Sequence, residues 1–119
     1  MTKLEIKEYL SKIYNVEVTR VNTSNMLGMF YKCKSFNKDI SSWNVSSVTD
    51  MSYMFYRCES FNKNISKWDV SSVKDMSFMF QMCENFNQDI SGWNVSNVSD
   101  KAGMFYCCPI KNEYKPKFK

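Results

Sequence analysis

One 25-residue pattern is written three times in this chain, and a fourth copy is begun. Aligning Met26, Met51 and Met76 brings the rest into columns: Phe30/Phe55/Phe80/Phe105, Cys33/Cys58/Cys83/Cys108, Phe36/Phe61/Phe86, Asn37/Asn62/Asn87, Ile40/Ile65/Ile90, Trp43/Trp68/Trp93, Val45/Val70/Val95, Val48/Val73/Val98 and Asp50/Asp75/Asp100. A fixed period of roughly 20–50 residues is the signature of a repeat architecture. Each unit is too small to bury its own apolar face, so the core exists only where neighbours cover one another. The period therefore constrains the fold more tightly than any local propensity does.

Inside one repeat, Asp50 precedes Met51, Met54, Phe55 and Cys58. These four fall at i, i+3, i+4 and i+7, the spacing of one face of a helix about two turns long. The Asp carboxylate is placed to cap its first turn. Phe61 and Asn62 follow in a turn. Trp68 and Val70 then share one face while Asp69 and Ser71 share the other, the period of a short strand. The pattern predicts an α/β repeat solenoid of stacked coils. Each coil holds a short helix and a short strand, and stacked strands about 4.8 Å apart make a parallel sheet.

Three segments follow from this reading. Residues 1–25 combine a capping helix over 2–14 with a degenerate half-repeat. Thr2 and Glu5 suggest a capping box at its start. Residues 26–108 hold three full repeats and a partial fourth. Residues 109–119 form a basic C-terminal tail, where Pro109 and Lys111 interrupt the core pattern.

Composition narrows the function. The chain has 119 residues, a hydrophobic fraction of 44% and an aromatic fraction of 16%, which argues for one folded domain rather than disorder. It has no histidine, so the commonest general base and metal ligand is missing. The net charge of +4 is mild and gathers at the C-terminal end, which suggests a solvated terminus rather than a specific nucleic-acid site. No apolar run of about 18 residues suggests membrane insertion. The first ten residues alternate charged and apolar types, unlike a secretory leader. The expected location is therefore intracellular or within a virion.

The phrase MFxxCxxFNxxISxWxVSxVxDM, running from Met26 to about Cys108, resembles the repeat of BspA-like leucine-rich-repeat surface proteins. It is closest in style to the variant common in mollicute-type lipoproteins of unknown function. The resemblance implies a leucine-rich-repeat-like solenoid with short helices on its convex side. It also implies long arrays on cell surfaces that bind host or matrix proteins. Similar repeats occur in protists and large DNA viruses.

The conserved-looking columns within the chain have structural readings. Zinc sites want cysteine pairs at close spacing. The Cys column instead forms a line with one thiol per repeat, which suits a core ladder of free thiols. Cys107 stands outside the column as the most reactive candidate. The Trp column alternates in step with the Val column and points inward. The Asn column suits the service of unpaired backbone groups. No cofactor or metal is expected, and nothing converges into a catalytic base, nucleophile and pocket.

Specificity is left to the positions that vary between repeats. Tyr31, Lys32, Tyr56 and Arg57 form an aromatic and basic patch beside the helix; a solvated face explains them equally well. Lys67 and Asp69 vary on or beside the strand's outer face, and Lys115 and Lys117 lie in the tail. These eight residues are the candidate partner-binding set. The expected function is a non-enzymatic protein–protein interaction or structural module, a component of a larger assembly such as a virion or capsid. Its partners would be other proteins or copies of itself, one of them covering the C-terminal coil. The alternative is a cell-surface adhesin or lipoprotein fragment.

Overall fold

A computed structural model describes residues 24–118. The capping helix expected over 2–14 and most of the half-repeat before Met26 lie outside the described residues. Successive repeats lie against one another in the 25-residue register. Parallel bridges join Asn25 to Asp50, Asp50 to Asp75 and Asp75 to Asp100.

The α/β solenoid expected from the sequence is not what forms. Among the described residues there is no α-helix and no strand. The one regular element among the described residues is a 3-10 turn, Asn112–Tyr114. The radius of gyration is 13.1 Å, the size of a compact globule of about 100 residues.

The helix fails for a reason visible in the backbone. Tyr53 and Arg57 have φ of 58° and 57°, and Phe78 and Met82 repeat this at 56° and 60°. Gly28 and Lys32 do so in the first repeat, and Gly103 and Cys107 in the fourth. A right-handed helix cannot pass through two left-handed residues four apart. The segment is instead a run of turns. Met54 N–H donates to Met51 O, Tyr56 N–H to Tyr53 O and Cys58 N–H to Phe55 O. In the first and last of these turns the third residue, Tyr53 or Arg57, has positive φ, the geometry of type II.

This arrangement aims alternate N–H groups at the neighbouring repeat. Met51, Tyr53, Phe55 and Arg57 donate to the carbonyls of Asp75, Ser77, Met79 and Gln81 at 2.9–3.0 Å. The intervening N–H groups are used locally, with Ser52 N–H donating to the Asp50 carboxylate at 2.9 Å. A seven-residue helix is marginal because its nucleus is costly. It would also turn all these donors inward, leaving the repeats joined by side chains alone.

The expected strand fails differently. Trp68 and Val70 do point inward together, and both are buried, while Asp69 is exposed. The backbone donors around them are used within the repeat: Trp68 N–H donates to Ile65 O and Ser71 N–H to the Asp69 carboxylate. With no ladder at this position there is no parallel sheet.

The core is a set of columns. Phe30, Phe55, Phe80 and Phe105 stack with ring centroids 5.4–5.7 Å apart. Phe36, Phe61 and Phe86 make a second column at 5.7 and 5.8 Å. The two columns interlock within each repeat, as where Phe55 meets Phe61 at 4.4 Å. Each fully buried ring is worth about 1.5–3 kcal/mol in transfer free energy, and offset stacking adds to that. The Trp column is buried, and two of its indole N–H groups tie repeats together: Trp68 Nε1 donates to Ile40 O at 3.0 Å, and Trp93 Nε1 to Ile65 O at 3.1 Å. The thiols of Cys58 and Cys83 do likewise, donating to Phe30 O and Phe55 O.

Residues 109–118 lie against the third and fourth repeats. Asn62 N–H donates to the Asn37 side chain and Asn87 N–H to that of Asn62. Lys111 N–H then donates to the Asn87 side chain at 3.0 Å, one residue early in the register. Ile110 thereby takes the place of Phe86 in the next layer and is 6% exposed. Ile90 N–H donates to Tyr114 O, and Tyr114 and Phe118 pack against the core.

The left-handed columns make a testable demand. Lys32 is exposed with φ of 59°. Replacing it with glycine should be neutral or stabilising by up to about 1 kcal/mol, whereas Lys32→Val should cost about 1–2 kcal/mol. Urea denaturation of the two variants measures the difference.

Candidate interaction surface

The left-handed residues also decide where side chains go. Each turn segment presents positions 28, 31 and 32 of the first repeat, and their equivalents, beside one another. Tyr31 stacks on Tyr56 at 4.8 Å with planes 9° apart. Tyr53 packs on Phe78 at 5.0 Å and lies 5.6 Å from Tyr56 and 6.2 Å from Tyr31. These four rings make one half-buried aromatic surface across three repeats.

Cations border it. Lys32 Nζ lies 5.4 Å from the Tyr31 ring centroid, and the Arg57 guanidinium lies 5.9 Å from that of Tyr56. Arg57 Nε also approaches Met82 Sδ at 3.2 Å. A cation within about 6 Å of a ring is attracted by its quadrupole, by about 0.5–1 kcal/mol at an exposed site. The structure therefore brings Tyr31, Lys32, Tyr56 and Arg57 together as one patch.

The other candidate residues have different settings. Lys67 lines a shallow hollow of about 320 Å3 with Asp39, Ser41, Lys63 and Asn64. The Asp69 carboxylate is engaged by Ser71, whose hydroxyl donates at 2.6 Å and whose N–H donates at 3.1 Å. Lys115 Nζ sits 5.5 Å from the Phe105 centroid, and Lys117 is exposed on the C-terminal segment.

Tyr53 and Phe78 complete the patch, and the sequence reading left them out of the binding set. Their signal was present. The column Gly28/Tyr53/Phe78/Gly103 begins and ends with the residue that suits a left-handed backbone and has between them two bulky rings that do not. Gly103 has a second reason to be glycine. A Cβ there would stand 2.6 Å from the Phe78 ring, which leans over it.

The chemistry available elsewhere is limited. Among the described residues, no three Cys, Asp or Glu side chains are grouped to hold a metal ion. Cys33, Cys58 and Cys83 are buried, Cys108 is half-buried and Cys107 is exposed. Burial pushes the Cys83 thiol far up, and it pushes Cys108 up to about 11. No described helix is long and apolar enough to cross a membrane.

Thiol labelling checks this ladder. Native protein should react rapidly with a maleimide at Cys107 and slowly at Cys108, with Cys33, Cys58 and Cys83 protected until denaturant is added. Peptide mapping by mass spectrometry reads each site.

The Asp–Ser turns carry a pH signature. The Ser71 hydroxyl and N–H hold the Asp69 carboxyl below its ordinary value, and Ser91 does the same for Asp89. At Asp39 the main cause is the Ser41 N–H. A depressed carboxylate contributes stability that is fully present above the unfolded value of about 3.9 and is lost as pH falls through the folded value. Ser71→Ala should raise the Asp69 midpoint toward the ordinary range. An NMR titration of its side-chain carbon measures this, and an unmoved midpoint would refute the assignment.

No curated protein and no solved structure matches the chain. One family model does, across residues 4–117, which is nearly its whole length and includes every repeat described above. The chain belongs to the family described as Mycoplasma protein of unknown function, DUF285, a BspA-like repeat family.

Proposed function

We propose that this chain is a non-enzymatic protein–protein interaction or structural module and a component of a larger assembly, such as a virion or capsid. The observation that carries the reading is the division of labour among its residues. The repeated columns form the core and the ties between repeats. The positions that vary form a continuous aromatic and cationic surface: Tyr31, Tyr53, Tyr56 and Phe78 with Lys32 and Arg57. Tyr and Arg are enriched among the residues that anchor protein interfaces; Tyr offers a large ring at low entropy cost, and Arg a planar cation that stacks on rings and pairs with carboxylates. Two of the rings occupy backbone positions that favour glycine. Strain of about 1–3 kcal/mol per residue is retained at such positions where function gains from it.

Fractionation of the native source with chemical cross-linking tests this. The chain should occur at fixed copy number in a purified assembly, with cross-links from Lys32 to a neighbouring protein. Free chain in the soluble fraction without cross-links would refute the reading. Enrichment at the outer cell surface would select the adhesin alternative instead.

A further inference from the structure

The hydrogen bonds between turn segments run one way. Each repeat donates alternate N–H groups to the carbonyls of the repeat that follows it. Met76, Phe78, Phe80 and Met82 donate to Asp100, Ala102, Met104 and Tyr106 at 2.8–2.9 Å. The equivalent donors of the fourth repeat are Lys101, Gly103, Phe105 and Cys107. Their N–H groups find no acceptor among the described residues. Lys101, Gly103 and Cys107 are exposed and Phe105 is partly so. A row of alternate unpaired donors is a template for another chain's carbonyls.

Beside this row is an open hollow of about 470 Å3. Met104, Phe105, Tyr106, Pro116 and Phe118 supply its apolar walls, and Lys101 and Lys115 its rim. Tyr106 is 61% exposed, one of the most exposed large apolar side chains of the molecule. The C-terminal segment thus forms one wall of the hollow, and among the described residues nothing covers the donor row.

The chemistry of the occupant follows from Lys101. It stands in the column of Met26, Met51 and Met76, each at most 1% exposed beneath the next layer. Any segment that pairs with the four donors would bring Lys101 toward the same cover. The Lys101 ammonium lies 5.3 Å from the Phe118 ring centroid, a weaker partner than an opposite charge once water is excluded, so a covering segment that supplies a carboxylate is favoured. Lys115 adds a second positive charge on the rim of the hollow. A second copy of this chain is disfavoured, because each copy carries +4 and an edge lysine opposes self-pairing.

We propose that the fourth-repeat edge docks an acidic, apolar-faced segment of a partner protein. The segment's alternate carbonyls accept from Lys101, Gly103, Phe105 and Cys107. Its apolar side chains enter the hollow and its carboxylates meet Lys101 and Lys115. This rests on the reading of the chain as an interaction module and names a surface of it distinct from the aromatic patch.

The test pans a random library of peptides of about eight residues against the full chain and maps the binders by NMR amide shifts. The enriched peptides should be acidic and should shift the amides of Lys101, Gly103, Phe105 and Cys107. Binding should weaken about tenfold or more in Lys101→Glu, with Lys101→Met, which restores the column residue, removing the preference for acidic peptides. An unchanged urea midpoint confirms that each variant folds. Binders that map only to Tyr31 and Tyr56 would overturn this inference and leave the module reading standing. Neutral or basic binders at the edge would overturn the acidic occupant. Self-association through the same four amides would make the occupant a second copy and also overturn it. No binder at either surface would count against both readings.

Discussion

The direction of every second N–H group governs this structure. In the turn segment, alternate donors are satisfied within the repeat and the others reach the next one. A buried backbone donor must find an acceptor, so neither set can be dispensed with. The alternation depends on the peptide plane being reversed at fixed points, which the left-handed residues at positions 28 and 32 and their equivalents achieve. The Phe columns then fall into stacking distance because the backbone ties hold the layers in register. Hydrogen bonds set the register, and ring burial supplies most of the favourable free energy. Neither works alone: without the ties the rings could slip, and without the rings a few exposed ties would not repay the entropy of ordering the chain.

Much of this was legible in the sequence. The period fixed which residues meet, and the inward columns are those that are buried, from Met51 and Phe55 to Trp68 and Val70. The Asn column was read as serving backbone donors, and Asn37, Asn62 and Asn87 do so in succession. The secondary structure was not legible. The i, i+3, i+4, i+7 spacing of Met51, Met54, Phe55 and Cys58 reports that these side chains share a side. A run of overlapping turns produces the same sharing as a helix. Periodicity describes side chains, whereas helix and strand are defined by where the backbone donors go. Two glycines in four at the Gly28/Tyr53/Phe78/Gly103 column were the available clue, and the two rings between them obscured it.

The candidate surface was half legible for the same reason. Tyr31, Lys32, Tyr56 and Arg57 stand out because they vary where the core does not. Tyr53 and Phe78 join them only because a left-handed residue projects its side chain beside that of the residue three further on. Lys67 and Asp69 were grouped with the patch by variation alone. The backbone places them in the other half of the repeat, where Asp69 is occupied in closing its own turn. Variation therefore finds positions that are free to change, and backbone geometry decides which of them act together.

A stack built this way has two unlike ends, because its turn-segment ties are polar: one end offers carbonyls and the other N–H groups. The C-terminal segment handles the second end incompletely. Ile110 continues the Phe86 column and Lys111 the Asn column, one residue out of step. The half of the third repeat built on Phe86 and Asn87 is thus covered. The half built on Phe80 is bounded by the Phe105 layer alone, with Lys115 over its ring. The terminal layer therefore differs from the internal ones in hydrogen bonding, in charge and in exposure at once, although its first residues still carry the Met104, Phe105 and Cys108 of the common pattern.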